Sequence, residues 1–116
     1  MSVPEIESYR FGHLVVDGQV HQRDLIILPG RVLGGWWRKQ GHVLHTEDLE
    51  AVFEASPDLL VVGQGASGLM EVAPETAQAL EAAGIELVAQ HTEKACQTYN
   101  RLREQSPVAA ALHLTC

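Results

Sequence analysis

Six residues that follow an apolar strand have the spacing of a phosphate-binding glycine loop. The segment Gly63-Gln64-Gly65-Ala66-Ser67-Gly68 matches the pattern G-x-G-x-x-G, in which the glycines let the backbone approach a pyrophosphate and the following helix directs its N-terminus at the anion. In a dinucleotide site that helix opens within the motif, whereas here five residues separate Gly68 from Pro74. The next strand also ends in Gln90 and His91, where a dinucleotide site carries an acidic residue. The pattern therefore does not predict a dinucleotide site.

The same loop fits a smaller ligand. In open α/β sheets, ligands bind beyond the carboxyl ends of parallel strands. The loop follows one such strand, and Gln90-His91-Thr92 follows another and begins a helix. The sequence thus predicts a hollow for a small anion or nucleotide, with these ligand-binding residues: Gly63, Gly65, Ser67, Gly68, His91 and Thr92. The alternative is that the glycines only permit a tight turn and that Thr92 only caps its helix.

Both tryptophans lie beside two cations and a histidine, in Trp36-Trp37-Arg38-Lys39-Gln40-Gly41-His42. In an extended segment Trp36 and Trp37 point to opposite faces, so that one enters the core and the other lies at the surface. A surface tryptophan beside an arginine is typical of a protein interface. The predicted interaction surface is Trp36, Trp37, Arg38 and His42. The alternative is a core tryptophan with a solvated arginine stacked on it.

Six histidines raise the question of a metal site. His42-x-x-His45 is the one close pair, and on a strand this spacing places its two members on opposite faces. No third ligand has a recognisable spacing, and neither cysteine belongs to a C-x-x-C pair. A structural zinc site needs a fuller set of ligands, so the sequence predicts no metal site and no cofactor.

No catalytic set is visible in the sequence. Ser67 does not lie in the G-x-S-x-G elbow that aims a nucleophilic serine. Cys96 lies beside the apolar positions of a helix and is predicted to be a small core residue. An enzyme would need at least two of four side chains within hydrogen-bond reach of one another, namely Asp24, Ser67, His91 and His113. We therefore assign no catalytic residue from the sequence.

The first part of the chain, residues 5 to 45, is predicted to be β-structure. Asp17-Gly18 after Leu14–Val16 is a strong signal for a two-residue hairpin, because both turn positions need positive φ. Asp24–Leu28 is aliphatic on both faces, which is typical of a strand that is covered on both sides. The Gly34-Gly35 pair predicts a bulge or bend before the tryptophans.

The second part alternates helices and strands. Thr46, Pro74 and Thr92 mark the starts of three helices, and Gly84 is a left-handed stop after the second. Apolar strands are predicted at Leu59–Val62, Ile85–Ala89 and Val108–Leu114. Strands that alternate with helices of about ten residues imply crossover connections. We therefore predict one α/β domain over residues 1–116, with a mixed, mostly parallel sheet covered by about three helices and with antiparallel hairpins at its N-terminal end.

Composition narrows the class of protein. The chain has 116 residues, of which 46% are hydrophobic, and these values predict a globular domain. Its net charge of −7 argues against binding to nucleic-acid phosphates. Its aliphatic runs are far shorter than the roughly 18–20 residues that span a bilayer. The first residues resemble neither a secretory signal nor a mitochondrial presequence. Two cysteines, Cys96 and Cys116, suit a reducing cytoplasm. We expect a cytoplasmic protein without a membrane span.

Several segments, taken in order, resemble one small family of domains of unknown function. The resemblance runs from about Ile6 to the end and rests on Ser8-Tyr9-Arg10-Phe11-Gly12, Asp24–Pro29, Trp37-Arg38 with Gly41-His42, Gly63-Gln64-Gly65, Thr92–Asn100 and Leu112-His113-Leu114-Thr115-Cys116. The family includes the adipogenesis-associated Mth-type protein of vertebrates and assembly factor three of mitochondrial NADH:ubiquinone oxidoreductase.

The resemblance implies a three-layer α/β fold with a central mixed sheet, and it brings no catalytic assignment. It implies a role in complex I assembly for the mitochondrial branch, whereas this chain, without a presequence, resembles a bacterial or cytosolic relative. We expect a non-enzymatic interaction or assembly-factor-like protein. The alternatives are a binder of a small anion or nucleotide at Gly63–Gly68 and, third, an undiscovered enzyme. The sequence assigns no oligomeric state.

Overall fold

Ten strands and three α-helices make up residues 3–116, the part of the chain that this computed structural model describes. The strands are β1 Ile6–Arg10, β2 His13–Val16, β3 Gln19–His21, β4 Leu25–Leu28, β5 Arg31–Gly34, β6 Val43–Leu44, β7 Leu59–Gln64, β8 Glu71–Val72, β9 Glu86–Gln90 and β10 Val108–His113. The helices are α1 Glu50–Ala55, α2 Pro74–Ala82 and α3 Thr92–Leu102, and a 3-10 turn, Thr46–Leu49, precedes α1.

The central sheet is mixed, with the strand order β5-β4-β10-β7-β9. Strand β7 pairs in parallel with β10 and β9, because α2 and α3 form the predicted crossover connections. Strand β4 pairs antiparallel with β10 and with β5. The middle strand, β10, is buried along all six of its residues. The predicted fold class is confirmed, with two parallel and two antiparallel pairings.

The N-terminal strands form a second sheet, with the order β1-β2-β3 and antiparallel pairing throughout. Asp17 and Gly18, at φ 49° and 77°, form the predicted hairpin turn between β2 and β3. These strands do not extend the central sheet, whose antiparallel half is the β4–β5 hairpin instead. The second sheet turns Leu14 and Val16 towards the central sheet and so covers part of its apolar face.

Two apolar clusters cover the two faces of the central sheet. On one face, Leu112 and Tyr99 pack together with residues of the second sheet. On the other face, Leu60 packs with Leu80 of α2 and with Val52 of α1. Each aliphatic side chain buried in this way stabilises the fold by about 1.5–3 kcal/mol. The layers thus hold the ends of the central strands in fixed positions.

The helices begin close to the predicted residues, but two threonines differ from the predicted role. Pro74 is the first residue of α2, and Gly84, at φ 76°, follows its end, as predicted. Thr46 and Thr92 are each the first residue of their helical segment and are not its cap. Thr46 Oγ1 lies 3.3 Å from Thr76 Oγ1, a tertiary contact that replaces capping. Tertiary bonding has overridden the local capping preference of these residues.

The longest helix, α3, has 11 residues. Within residues 3–116 no helix combines the length and the apolar composition that a membrane crossing requires.

The two cysteines should differ in reactivity. Cys96 is buried in α3, and burial, with a further contribution from Glu93, raises the pKa of its thiol to about 12. Cys116 is partly exposed. At about pH 8 we therefore expect one thiol of the native chain to react quickly with a thiol reagent and the second to react only after unfolding, because the thiolate is the reactive form. The Cys116→Ser variant should lose the fast reaction, and a fast reaction retained in that variant would contradict the assignment.

Candidate functional site

Residues from four strands meet at one edge of the central sheet. The parallel strands β7, β9 and β10 end there at Gln64, Gln90 and His113. Strand β4 runs antiparallel to β10, so Asp24, directly before β4, lies at the same edge. We name this the carboxyl edge. It is the edge at which ligands bind in open α/β sheets.

Asp24 is the centre of a hydrogen-bonded cluster at the carboxyl edge. Its Oδ2 accepts hydrogen bonds from Arg38 Nη1 and His113 Nδ1, each at 2.7 Å, and its Oδ1 accepts one from the Leu114 amide at 2.8 Å. Arg38 Nη2 donates to the Gly41 carbonyl at 2.9 Å, and the guanidinium carbon lies 4.7 Å from the Trp36 ring centre, a cation–π contact. We name Asp24, Arg38 and His113 the Asp24 cluster.

The charges of the Asp24 cluster fix the proton on His113. Burial raises the pKa of Asp24, but the hydrogen bonds from His113, the Leu114 amide and Arg38 outweigh it and hold the pKa below its usual value. The ionised carboxylate can only accept, so Nδ1 of His113 carries the proton of their shared bond. Arg38 Nη2, 3.1 Å from the same Nδ1, is then a second donor beside it. The lone pair of a neutral His113 therefore resides on Nε2.

That Nε2 atom is buried and, among residues 3–116, has no hydrogen-bond partner. His113 is only 6% exposed. The neighbouring ring is that of His42, with ring centres 5.9 Å apart and planes at 66°. Such an orphaned buried nitrogen is uncommon, and each one calls for an explanation. The cluster thus holds an imidazole whose second nitrogen is available for a further contact.

The four residues considered for catalysis are only partly brought together. Asp24 and His113 are in direct contact, which meets the two-residue condition that the enzyme alternative requires. No hydrogen bond joins either of them to Ser67 or His91 within the described chain. The close histidine pair considered for a metal is also separated. The His42 ring lies against that of His113, whereas His45 Nε2 lies 2.7 Å from the side-chain oxygen of Gln40. In residues 3–116 no group of three or more His, Cys, Asp or Glu side chains is arranged to hold a metal ion.

The glycine loop packs against the last two residues of the chain. The amide of Ala66 donates to the Thr115 carbonyl at 2.7 Å, and the amides of Ser67 and Leu69 donate to the Cys116 carbonyl at 3.2 and 3.1 Å. Three amides of the region therefore bind the chain itself. Anion binding by this loop stays a prediction, and it requires the anion to displace residues 115–116.

Thr92 and His91 do lie beside the glycine loop. Thr92 is fully buried, and its Oγ1 accepts from the Gly65 amide at 2.8 Å and donates to the His113 carbonyl at 2.6 Å. The His91 ring lies so close to Gly68 that a Cβ added there would be 2.6 Å from His91 Nε2. The strand ends thus gather the predicted residues, and Thr92 joins three strand ends to one another instead of facing a hollow.

The tryptophan pair has one buried and one exposed member. Trp36 packs against the core, and its Nε1 donates to the Asp48 carbonyl at 2.9 Å. Trp37 is 79% exposed. Arg38 is buried in the Asp24 cluster and is not the solvated arginine of the alternative interpretation. His42 is exposed at the rim of the cluster. The segment between β5 and β6 therefore covers the cluster and presents Trp37 outwards.

Comparison with known proteins places the chain among its relatives. The model of the family described as "Protein of unknown function (DUF498/DUF598)" matches residues 6–113. The chain belongs to this family. This DUF498 chain is 28% identical to a conserved hypothetical protein of Pyrococcus horikoshii, over 97% of this chain and 99% of the other, with a TM-score of 0.83. A protein of Rhodopseudomonas palustris is 30% identical over 93% and 81%, with a TM-score of 0.74.

A Mth938-like domain of Bordetella pertussis shares the fold, with 22% identity over 95% of this chain and 85% of the other and a TM-score of 0.69. Together with the family model that matches residues 6–113, this confirms the predicted resemblance to the Mth-type family. What these solved structures share with the chain is the fold, and the family description assigns no activity.

The Asp24 cluster of this DUF498 chain was not predicted as a unit. Asp24 and Arg38 are 14 residues apart, and 75 residues separate Arg38 from His113. Asp24 and His113 were two of the four residues considered for catalysis, but their contact was not predicted, because the sequence does not show that β4 lies beside β10. The one available signal was the position of Asp24 directly before a buried strand, where a charged residue marks the edge of a sheet.

Proposed function

We propose that this chain is a non-enzymatic interaction or assembly-factor-like protein that binds a partner protein in the cytoplasm. The observation that carries the proposal is Trp37, which is 79% exposed on a segment that Arg38 anchors in the Asp24 cluster. Tryptophan is over-represented among the residues that contribute most to protein–protein binding.

Two other exposed apolar side chains, Phe11 and Leu69, belong to segments whose backbone is hydrogen-bonded to residues 114–116 at the carboxyl edge. Among residues 3–116 the exposed large hydrophobic side chains are Phe11, Val20, Trp37 and Leu69. Phe11 precedes Gly12, whose amide donates to the Leu114 carbonyl, and the Leu69 amide donates to the Cys116 carbonyl. Arg38 reaches the same segment through Asp24, which binds the Leu114 amide. We name Phe11, Trp37 and Leu69 the apolar edge surface.

The segment that carries Trp37 is held in place before any partner arrives. Arg38 is bonded to Asp24 and Gly41 and stacks on Trp36, which itself bonds Asp48. Binding therefore does not have to order this part of the backbone, and preorganisation of this kind reduces the entropic cost of association. The apolar edge surface is suited to a partner that covers the Trp37 indole.

We expect Trp37→Ala to weaken binding to the partner by about thirtyfold, because a buried tryptophan anchor contributes about 2 kcal/mol or more. The measurement is the dissociation constant of the partner recovered by crosslinking and capture on the immobilised chain. Val20→Ala is the matched control, since Val20 is 57% exposed outside the apolar edge surface and its loss should leave binding unchanged. A partner retained equally by both variants, with unchanged melting temperatures, would contradict the proposal.

A role in the assembly of respiratory complex I is a narrower form of this proposal, supported by the resemblance to the mitochondrial assembly factor. It predicts that complex I subunits are among the proteins whose capture requires Trp37. If Trp37 is required for capture of an unrelated protein instead, the interaction role is supported and the role in complex I assembly is contradicted.

A further inference from the structure

The orphaned nitrogen of the Asp24 cluster has the surroundings of a metal ligand. Histidines that ligate metals nearly always donate their other ring N–H to a carboxylate or carbonyl, which fixes the tautomer and the ring orientation. His113 makes such a bond from Nδ1 to Asp24 at 2.7 Å. Its Nε2 is buried and lacks a partner among residues 3–116. Half of a carboxylate–histidine–metal arrangement is therefore present.

A second imidazole lies at a suitable distance. Two imidazoles on one tetrahedral ion, with metal–nitrogen bonds of about 2.0–2.1 Å, have ring centres about 5 Å apart. The rings of His42 and His113 are 5.9 Å apart. His42 is exposed, and no hydrogen bond joins its ring to another residue of the described chain, so its side chain can rotate towards His113, as a shared ion would require.

The charges of the cluster do not oppose a cation. Arg38 is a positive neighbour of His113, but its guanidinium is paired with Asp24 at 2.7 Å and lies on the Nδ1 side of the ring. The Asp24 carboxylate accepts the Nδ1 proton and raises the basicity of the ring towards a metal on Nε2. Imidazole nitrogen is the ligand that suits zinc, copper and nickel.

We propose that His42 and His113 bind one transition-metal ion of the zinc, nickel or copper type, with water in the remaining positions. Two protein ligands are fewer than a structural zinc site uses, so the ion is exchangeable and is not required for folding. The sequence predicted no metal because it paired His42 with His45, whereas the fold pairs His42 with a histidine from the other end of the chain. The proposal is independent of the apolar edge surface.

The test is a titration of the full chain, without a histidine tag and freed of metal by a chelator, with Zn²⁺ in competition with a chromogenic indicator. We expect one equivalent of Zn²⁺ to bind. His42→Ala should weaken the affinity by about tenfold or more, a loss that removal of even an outer partner produces at metal sites. His42 is exposed, so this variant should fold normally, which its melting temperature checks.

His91→Ala is the matched control, because His91 is also an exposed histidine at the carboxyl edge and its removal should leave the affinity unchanged. With Cu²⁺, electron paramagnetic resonance should show two coordinated imidazole nitrogens in the wild type and one in His42→Ala. Absence of Zn²⁺ binding, equal affinity in His42→Ala and the wild type, or an equal loss in His91→Ala would overturn the proposal.

Discussion

Asp24→Ala is expected to lower the free energy of unfolding by about 3–5 kcal/mol, the loss typical of a buried ion pair that loses one partner. The variant leaves the Arg38 guanidinium, 9% exposed, without its carboxylate. It also removes the acceptor of the Leu114 amide and of His113 Nδ1. The carboxylate thus serves three donors, and an uncompensated buried charge is the largest part of the expected loss.

Urea denaturation at neutral pH measures this loss. Asp58→Ala is the matched control, because Asp58 is an exposed carboxylate outside the cluster, and its change should stay within about 0.5 kcal/mol. The double variant Asp24→Ala/Arg38→Met should be more stable than Asp24→Ala, since it removes the unpaired charge as well. Equal losses in Asp24→Ala and Asp58→Ala would show that the cluster does not stabilise the fold.

The acid limb of the stability profile should change with the same variant. The pKa of Asp24 is lower in the folded chain than the usual value of 3.8, so its contribution is present above that value and is lost as the pH falls through the folded pKa. The wild type should therefore lose stability in acid more steeply than Asp24→Ala. Parallel acid limbs for the two proteins would contradict the lowered pKa.

Gly65→Ala is expected to lower the free energy of unfolding by about 3 kcal/mol or more. Gly65 has φ 104°, and a Cβ there would lie 2.6 Å from the Cys116 carbonyl oxygen and 2.7 Å from that of Thr115. These are backbone atoms that cannot rotate away, so residues 115–116 must move. The loop amides then lose carbonyl partners, each hydrogen bond contributing about 1 kcal/mol, in addition to backbone strain of about 1–2 kcal/mol.

Gly84→Ala is the control that introduces a Cβ at a positive φ without a clash against neighbouring backbone. Gly84 also has a positive φ, 76°, which is less strained for alanine than 104°, and a Cβ there meets no atom within 4 Å. Its substitution should therefore cost only the backbone strain of about 1–2 kcal/mol. If both variants lose the same stability in urea denaturation, the contact between the glycine loop and residues 115–116 does not stabilise the fold.

Local patterns predicted the elements of the fold well. Asp17-Gly18 predicted its hairpin because few residues other than these accept positive φ in succession. The aliphatic run Leu25–Leu28 predicted a strand buried on both faces, and all four of its residues are buried. What the patterns could not give is the neighbour of each strand, because pairing of β4 with β10 joins segments that are far apart in sequence.

In the candidate site, too, general patterns predicted which segments lie close together but not which atoms bind each other. The prediction that Gly65 and Thr92 lie close together came from a general property of parallel strands, and the two are hydrogen-bonded. The role of the Thr92 hydroxyl was predicted wrongly, because a local capping preference cannot show that the Gly65 amide and the His113 carbonyl lie within reach. Residues 115–116 are too short a segment to carry a sequence pattern, so nothing in the sequence indicated that they bind the glycine loop.

The position of β10 determines when the molecule can fold. This strand lies in the middle of the central sheet, between β4 and β7, yet it follows every other strand in the chain. During synthesis, β4 and β7 leave the ribosome without the neighbour that joins them. Because the contacts that unite the two halves are non-local, they form late and slowly. The nascent chain therefore completes its sheet only after translation has passed residue 113, and until then the apolar sides of β4 and β7 lack the strand that joins them.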